Sequence, residues 1–395
     1  MNTVTPEEVG FSASRLSRID TAMQRYVDQK TLAGIVTLAA RRGKVVHFEK
    51  FGYQDMVTSK PMELDTIFRI YSMTKPITSV ALMMLFEQGL VRLTDPVTKF
   101  IPEFGKVKVL IGQDGLTDLE GQITIQDLLR HTAGLSYGGY EDTQDPIDKL
   151  YDQSRLWRPD ITIQEAVRCL TELPLAYQPG QAWRYSVATD VVGHLVELIS
   201  DMSLGEFFEE KIFKPLGMED TAFTVSLEKV DRFATLYGKT DEGPLELIDV
   251  ATGGDYFSTL LESGGAGLVS TTADYLRFAQ LVLNKGELDG VRLLGPRTVE
   301  LMTANHLPPA LLTTMAEHDM SGFGFGLGFS VMMDVALSGM MGSVGLHGWG
   351  GWANTHFWVD PQEQLVGILM VQYIPSGTYP VTTDFRTLVY QALVD

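Results

Sequence analysis

The stretch of residues 68–89 predicts a helix whose apolar residues, between positions 77 and 86, occupy every side. A helix without a polar face is typical of a buried position. Pro76 is tolerated only in a first helical turn, and Gly89 suits the position just past a helix end, so the helix starts near Ser72. Ser72 and Lys75 then share one face, about 5–6 Å apart at Cβ, and the amine can reach the hydroxyl.

The rest of the pattern predicts strands near both ends of the chain and helices between them. Apolar spacing predicts a first helix over residues 16–27, and the runs 35–40 and 44–51 predict a hairpin that turns at Arg42-Gly43. Further segments are, in chain order, a polar stretch expected to be a surface loop or a lid (103–122), two helices opened by the capping boxes Thr124/Asp127 and Thr162/Glu165, a helix (190–199), three strand-like runs (323–333, 345–360 and 364–373) and a closing helix (383–393).

This order predicts an α/β (α+β) protein in which both termini complete one sheet. We expect residues 1–75 and 245–395 to form the sheet domain and residues 76–244 to form a mainly helical domain. The active site is expected between these two domains.

Composition and charge exclude several classes of protein. The 45% hydrophobic and 21% charged content is ordinary for a folded protein with a sizeable core. A formal net charge of −19 argues against nucleic acid or an anionic membrane as a partner. The single cysteine, Cys169, cannot form an internal disulfide and is expected to pack as a small hydrophobic side chain. No membrane-spanning run is present, and we expect a cytoplasmic protein.

The spacing S-x-x-K is a weak signal on its own, because Ser226 and Lys229 repeat it. That second copy lies in the charged segment SLEKVDR, which is typical of a solvated surface. Ser72 instead opens an apolar helix, where a charged Lys75 would be costly to bury without a partner or a purpose. The alternative for Ser72 is a plain helix N-cap.

Ser136 lies in another sequence pattern that can mark a nucleophile, because Gly134-Leu135-Ser136-Tyr137-Gly138 fits G-x-S-x-G. That nucleophile pattern works only on a sharp strand-to-helix turn. Here the preceding residues predict a helix that ends at a glycine, and the following residues predict a loop. We therefore do not expect Ser136 to be the nucleophile.

Three motifs in order resemble those of serine hydrolases of the class C β-lactamase and penicillin-binding-protein type, and most closely the family VIII carboxylesterases. They are Ser72-Met73-Thr74-Lys75, Tyr185-Ser186 after a Pro-Gly-x-x-Trp lead-in, and His347-Gly348-Trp349-Gly350-Gly351. The resemblance implies a β-lactamase/transpeptidase-like fold with an antiparallel sheet, flanking helices and an inserted helical domain. It also implies that Ser72 is the nucleophile, that Lys75 and Tyr185 activate it, and that Trp349, Gly350 and Gly351 line the cleft.

The chemistry of these residue types agrees with those roles. A serine hydroxyl must lose its proton as it attacks a carbonyl, and a Lys75–Tyr185 pair could share one proton as a combined base. The oxyanion needs two donors, for which the resemblance implies the amides of Ser72 and Trp352. The alternatives are that Tyr185 is a packed aromatic with its hydroxyl in water and that Trp349 is a core tryptophan.

Departures from the β-lactamase pattern concern the substrate. The asparagine of the second motif is replaced by Val187, and the lysine of the third motif is replaced by Trp349, whose indole carries no charge. Neutral esters therefore fit better than lactams or peptides that end in a carboxylate. A slip of two residues would instead place His347 in the third motif and favour a lactamase.

The expected function is hydrolysis of short-chain acyl esters through an acyl-serine intermediate. A β-lactamase, an acyltransferase and a non-catalytic penicillin-binding-like protein remain alternatives. The expected partner is a small-molecule ester, and no cofactor is expected. The seven scattered histidines lack the spacing of a zinc motif, so no metal is expected either.

Overall fold

The computed structural model describes residues 3–139, 144–154, 156, 158, 160–239, 243, 245–249, 255–317 and 320–395. Within these residues, eight strands form one antiparallel sheet. In chain order the strands are β1 (Gly34–Arg41), β2 (Lys44–Asp55), β3 (Lys60–Pro61), β4 (Phe323–Phe325), β5 (Ser330–Met332), β6 (His347–Gly350), β7 (His356–Asp360) and β8 (Leu365–Val371). Their order across the sheet is β4-β5-β6-β7-β8-β1-β2-β3.

Strand β1 joins the two ends of the chain. It pairs with β2 on one side and with β8 on the other, in a register that runs from Ile35 opposite Val371 to Arg41 opposite Leu365. The turn into β2 has positive φ at both central residues, 53° at Arg42 and 74° at Gly43, as a tight type I′ hairpin requires. The expectation that both termini complete one sheet is confirmed.

Helices cover both faces of the sheet, and alternate residues of β1 point into the two cores. Val36 and Leu38 belong to the core beneath helices α2 (Thr74–Glu87), α3 (Ala188–Ser200) and α4 (Thr272–Leu283). Ile35 and Ala39 belong to the core beneath helices α1 (Arg18–Asp28) and α5 (Val381–Tyr390). A sheet buried on both faces gives a rigid support for side chains at its edge and ends.

Shorter elements complete the described structure. The remaining α-helical segments are Ala13–Leu16, Ile125–Leu129, Pro146–Asp152, Ile163–Leu170, Leu204–Phe208, Lys214–Leu216, Pro296–Met302, Pro309–Ala316 and Val335–Ser338, with a π-helical turn at Glu209–Phe213. The 3₁₀ turns are Pro6–Val9, Tyr71–Met73, Val97–Lys99, Pro102–Lys106, Val230–Arg232 and Asp255–Phe257. Small strand pairings are Phe68–Arg69 with Val269–Ser270, Val109–Ile111 with Gly115–Thr117, Glu287–Leu288 with Val291–Arg292, and Leu236–Gly238 with Glu246–Asp249 and Tyr373–Ile374.

The α+β fold class and the antiparallel sheet are confirmed. Both capping boxes form, because the Thr124 and Thr162 side chains accept bonds from the Asp127 and Glu165 amides. The stretch 103–122, expected to be a loop or lid, contains most of a 3₁₀ turn and a small hairpin.

The division of the chain into domains stays a prediction. No helix among the described residues has the length and apolar character to cross a membrane. The cytoplasmic location also stays a prediction.

Candidate active site

Ser72 lies in a tight turn between a short strand and a buried helix. The strand Phe68–Arg69 pairs with Val269–Ser270 and leads into the 3₁₀ turn Tyr71–Met73, after which α2 begins at Thr74. Tyr71 has φ of 43°, a left-handed conformation that a bulky residue adopts only where its surroundings hold it. No side chain caps the start of α2, so Ser72 is not the plain N-cap of the alternative interpretation.

Lys75 is fully buried, and its amine lies among three acceptors. Lys75 Nζ donates to Ser72 Oγ at 3.1 Å, to Tyr137 Oη at 2.6 Å and to the Gly265 carbonyl oxygen at 2.6 Å. Burial lowers the pKa of Lys75 to about 7, and the negative charge of Asp190 opposes this shift. Both the charged and the neutral amine are therefore populated near neutral pH, which suits a group that takes and returns a proton.

Two tyrosine rings enclose the Lys75 amine. Its Nζ lies 4.6 Å from the ring centroid of Tyr185 and 5.0 Å from that of Tyr137. The Tyr185 hydroxyl accepts a hydrogen bond from the Trp349 indole Nε1 at 3.1 Å. Of these two tyrosines, the sequence analysis assigned a role to Tyr185 alone. No local signal marks Tyr137, because its partner Lys75 lies 62 positions earlier in the chain.

Asp190 lies behind the lysine and fixes one of its acceptors. It is buried on α3, and its Oδ1 accepts bonds from Ser263 Oγ at 2.5 Å and from the Gly265 amide at 3.1 Å. Burial raises the pKa of Asp190, whereas the hydrogen bond from Ser263 and the charge of Lys75 lower it. Asp190 thus holds the Gly265 backbone, whose carbonyl accepts from Lys75, and stabilises the charged amine.

The third motif brings the end of β6 against the Ser72 turn. The Thr355 hydroxyl donates to the Ile70 carbonyl oxygen at 3.2 Å, two residues before Ser72. A Cβ atom at Gly351 would overlap both Ile70 O and Thr355 Oγ1, so this close approach requires glycine. Trp352 packs edge-on against the Tyr71 ring, with centroids 5.7 Å apart.

Trp349, rather than His347, faces the space around Ser72. Trp349 lines a cavity with Ser72 and Tyr185, as do Gly350 and Gly351. His347 is buried against Phe329, and its Nδ1 lies 2.9 Å from the Gly345 carbonyl oxygen. Burial lowers the pKa of His347 to about 4, so its ring is neutral at physiological pH.

Two cavities meet at Ser72, Tyr185 and Trp352. The larger cavity, of about 840 Å³, extends past Tyr71 and Tyr137. The smaller, of about 440 Å³, extends past Trp349 toward α5. A side chain at the junction of two cavities can contact both parts of a molecule that extends into both of them.

Ser136 and the second S-x-x-K pair, Ser226 and Lys229, lie in surroundings unlike those of Ser72. Ser136 follows the helix Ile125–Leu129 and a loop rather than a strand, and its hydroxyl donates to Asp148 at 2.5 Å. It is buried in the wall of the larger cavity. Lys229 is partly exposed, and its amine pairs with Asp220 at 2.8 Å. Among the described residues, no group of three or more His, Cys, Asp and Glu side chains could hold a metal ion.

Comparison with known proteins agrees with this geometry. The family model described as Beta-lactamase matches residues 19–391. The chain is 30% identical to Esterase EstB of Burkholderia gladioli, over 96% of each chain.

Two solved structures show the same fold. One is described as EstCE1, a hydrolase with promiscuous acyltransferase activity (TM-score 0.81, 28% identity, 95% of this chain and 99% of that one). The other is simvastatin synthase (LovD) from Aspergillus terreus, unliganded, as its selenomethionyl derivative (TM-score 0.81, 25% identity, 96% of this chain and 98% of that one). The chain therefore belongs to the beta-lactamase family and is a serine hydrolase, and its relatives include an esterase.

Proposed function

We propose that this protein hydrolyses short-chain acyl esters through an acyl-Ser72 intermediate. The observation that carries the proposal is the 3.1 Å hydrogen bond between the buried Lys75 amine and Ser72 Oγ, at the junction of two cavities. A neutral Lys75 amine accepts the hydroxyl proton as Ser72 Oγ attacks the ester carbonyl carbon. The tetrahedral intermediate then expels the alkoxide, which takes up the proton and leaves as the alcohol.

In the second half of the reaction, water attacks the acyl-Ser72 carbonyl. Lys75 accepts a proton from that water and returns one to Ser72 Oγ as the acid product leaves. Tyr185 contributes through its ring, which stabilises the ammonium form of Lys75 by a cation–π contact at 4.6 Å. Its hydroxyl, oriented by Trp349, is available to pass the proton to the leaving alkoxide.

We assign the oxyanion hole to the amides of Ser72 and Trp352. The α2 N-terminus lies directly beyond Ser72, and its partial positive charge favours a developing oxyanion. The contact between Trp352 and Tyr71 supports the placement of the second amide near the nucleophile.

The side chains of the smaller cavity support an apolar acyl group. Trp349, Phe323 and Met320 supply apolar surface to this cavity of about 440 Å³, against which an acyl chain can pack. Trp349 replaces the lysine of the β-lactamase motif and leaves an uncharged wall beside Ser72. These features favour a small ester over a lactam.

Acyl transfer to an alcohol is a second candidate function. EstCE1 is described as a hydrolase with promiscuous acyltransferase activity, and LovD is described as a simvastatin synthase. The larger cavity offers space for an alcohol acceptor. Hydrolysis of p-nitrophenyl butyrate with and without added methanol separates the two, because a transferase forms methyl butyrate in preference to butyrate.

The test of the proposed reaction is the rate of p-nitrophenyl butyrate hydrolysis by the wild type, Ser72→Ala and Ser226→Ala. We expect kcat to fall roughly a thousandfold or more in Ser72→Ala, because the nucleophile is removed. Ser226→Ala should keep the wild-type rate. Full activity in Ser72→Ala would overturn the proposal.

A further inference from the structure

His131 contacts three consecutive residues, Arg184, Tyr185 and Ser186. Its carbonyl oxygen accepts a hydrogen bond from the Arg184 amide at 3.0 Å. Its imidazole Nδ1 lies 3.3 Å from Ser186 Oγ, and the two atoms share a hydrogen bond. Its ring packs against the ring of Tyr185, with centroids 4.9 Å apart. His131 therefore contacts Tyr185 directly and also holds the residue on either side of it.

The backbone at His131 is anchored to the segment that leads to Tyr185. His131 has φ of 58°, a left-handed conformation that is uncommon for a residue with a side chain. The Thr132 carbonyl oxygen accepts a hydrogen bond from the Gly180 amide at 2.8 Å, and the Gly134 carbonyl oxygen accepts one from the Ala176 amide at 2.7 Å. The His131 side chain thus starts from a backbone that these bonds fix relative to Tyr185.

The surroundings of the imidazole ring indicate why a histidine is present. The ring is fully buried, and the rings of Trp183 and Phe325 pack against it, with centroids 6.3 Å and 5.3 Å away. A phenylalanine would suit such an aromatic environment better, because it buries no polar atom. The His131 Nε2 has no hydrogen-bond partner in the described part of the chain. The contact of Nδ1 with Ser186 is therefore the feature that an apolar ring could not supply.

The same burial keeps the imidazole neutral. It lowers the pKa of His131 well below its ordinary value, and the positive charge of Lys75 lowers it further. The Lys75 amine lies 4.6 Å from the ring centroid of Tyr185, against which His131 also packs. A neutral imidazole adds no positive charge beside this amine, so we expect its effect on the reaction to pass through Tyr185.

We infer that His131, through its contact with Ser186, is a positioning residue for Tyr185. The inference rests on the proposed ester hydrolysis, in which the Tyr185 hydroxyl passes a proton to the leaving alkoxide. That hydroxyl accepts a hydrogen bond from the Trp349 indole at 3.1 Å, while the ring of the same residue contacts the Lys75 amine. A rotation of the Tyr185 ring would disturb both contacts. His131 and Ser186 hold the ring in the orientation that allows both.

Two butyrate esters with different leaving groups test the inference. p-Nitrophenolate is a stable anion and leaves without a proton, whereas ethoxide leaves only as it is protonated. A displaced Tyr185 hydroxyl should therefore slow the cleavage of ethyl butyrate more than that of p-nitrophenyl butyrate. The readout is the ratio of kcat/KM for ethyl butyrate to kcat/KM for p-nitrophenyl butyrate. A loss of folded enzyme does not change this ratio.

Two substitutions remove the contact from opposite sides. Ser186→Ala and His131→Phe should each lower the ratio about tenfold, since a hydrogen bond that positions Tyr185 is lost. His131→Asn keeps a polar amide close to the position of Nδ1 and suits a left-handed backbone, so it should retain more of the ratio than His131→Phe. In a Tyr185→Phe background, Ser186→Ala should lower the ratio no further.

The matched control is a second buried pair of a histidine and a hydroxyl. His47 Nε2 lies 2.7 Å from Thr37 Oγ1, on the neighbouring strands β2 and β1, and neither residue lines the cavities at Ser72. Thr37→Ala should therefore leave the ratio unchanged. An unchanged ratio in either Ser186→Ala or His131→Phe would overturn the inference, as would an equal fall of the ratio in Thr37→Ala.

A crystal structure of Ser186→Ala separates a failure of this inference from a failure of the proposed function. If the wild type hydrolyses neither ester, the proposed reaction is wrong, but the position of Tyr185 can still be measured. We expect the distance between Trp349 Nε1 and Tyr185 Oη to rise above about 3.5 Å, beyond the reach of a hydrogen bond. A distance that stays near 3.1 Å would count against the positioning role alone.

Discussion

At the scale of single residues, burial changes the acid–base chemistry of the Lys75 amine. Its amine has lost the stabilisation of bulk water, and burial brings its pKa to about 7. Three acceptors and two aromatic rings keep the charged form accessible. In the proposed mechanism, Lys75 therefore acts as a base in one step and as an acid in another.

This pKa predicts the pH dependence of the reaction. Because the proposed base is the neutral Lys75 amine, kcat/KM for p-nitrophenyl butyrate should rise with pH through a limb near pH 7 and level off above it. Asp190 stabilises the ammonium, so Asp190→Asn should lower the pKa of Lys75 and move the limb to lower pH, by about one unit. A limb that moves upward or stays in place would show that Asp190 does not act on Lys75.

Tyr137 is expected to position the Lys75 amine. Tyr137→Phe removes the acceptor at 2.6 Å, so we expect kcat to fall about tenfold while KM changes little. Tyr177→Phe is the matched control, because the Tyr177 hydroxyl is buried without a hydrogen-bond partner in the described structure. Equal losses of kcat in Tyr137→Phe and Tyr177→Phe would mean that Tyr137 acts through packing and does not position the amine. The limb of the pH profile near pH 7 should move only in Tyr137→Phe.

Residues of the site that belong to local sequence patterns could be identified from the sequence alone. Ser72 and Lys75 lie three positions apart and open an unusually apolar helix, so they could be predicted. Tyr137 and Asp190 are brought to the site by tertiary contacts, and nothing in their neighbouring residues distinguishes them from ordinary polar side chains.

At the scale of elements, the site depends on the meeting of β6 with the Ser72 turn. Gly351→Ala should force the two apart, because the added Cβ overlaps Ile70 O and Thr355 Oγ1. We expect a loss of about 1–3 kcal/mol in the free energy of unfolding and a lower kcat. Gly121→Ala, at a glycine with open space around it, serves as the control. A variant Gly351→Ala with wild-type stability and kcat would contradict this account of the close approach.

Elements with strong local signals were predictable, and their junctions were not. The Arg42-Gly43 turn and the Thr124 and Thr162 capping boxes act within four residues, and each formed as expected. The start of α2 at Thr74 instead depends on the left-handed conformation of Tyr71. That conformation is held by the strand pairing and by contacts with β6, which no local pattern encodes.

At the scale of the whole molecule, the formal charge of −19 acts against anionic substrates as they approach. Salt screens this repulsion over about 10 Å at 0.1 M. Raising the ionic strength from 10 to 200 mM should therefore increase kcat/KM severalfold for an ester that carries a carboxylate, such as 4-nitrophenyl hydrogen glutarate, and leave kcat/KM for p-nitrophenyl butyrate unaffected. A decrease for the charged ester would mean that positive charge close to the site attracts it.

The contribution of both termini to one sheet followed from the order of predicted elements, since strands at both ends and helices between them leave few alternatives. The strand-like runs 323–333 and 345–360 each form two strands rather than one. The parallel pairing of Tyr373–Ile374 with Leu236–Gly238 was not foreseen, because these segments are too short to give a periodic signal. The function class followed from three motifs in order.

The most direct test of the central claim is the site of covalent labelling by a p-nitrophenyl alkylphosphonate. The account predicts one phosphonyl group per chain, located by peptide mass spectrometry on Ser72 and absent from Ser72→Ala. Labelling of Ser136 instead, or of neither serine in an enzyme that hydrolyses p-nitrophenyl butyrate, would contradict it.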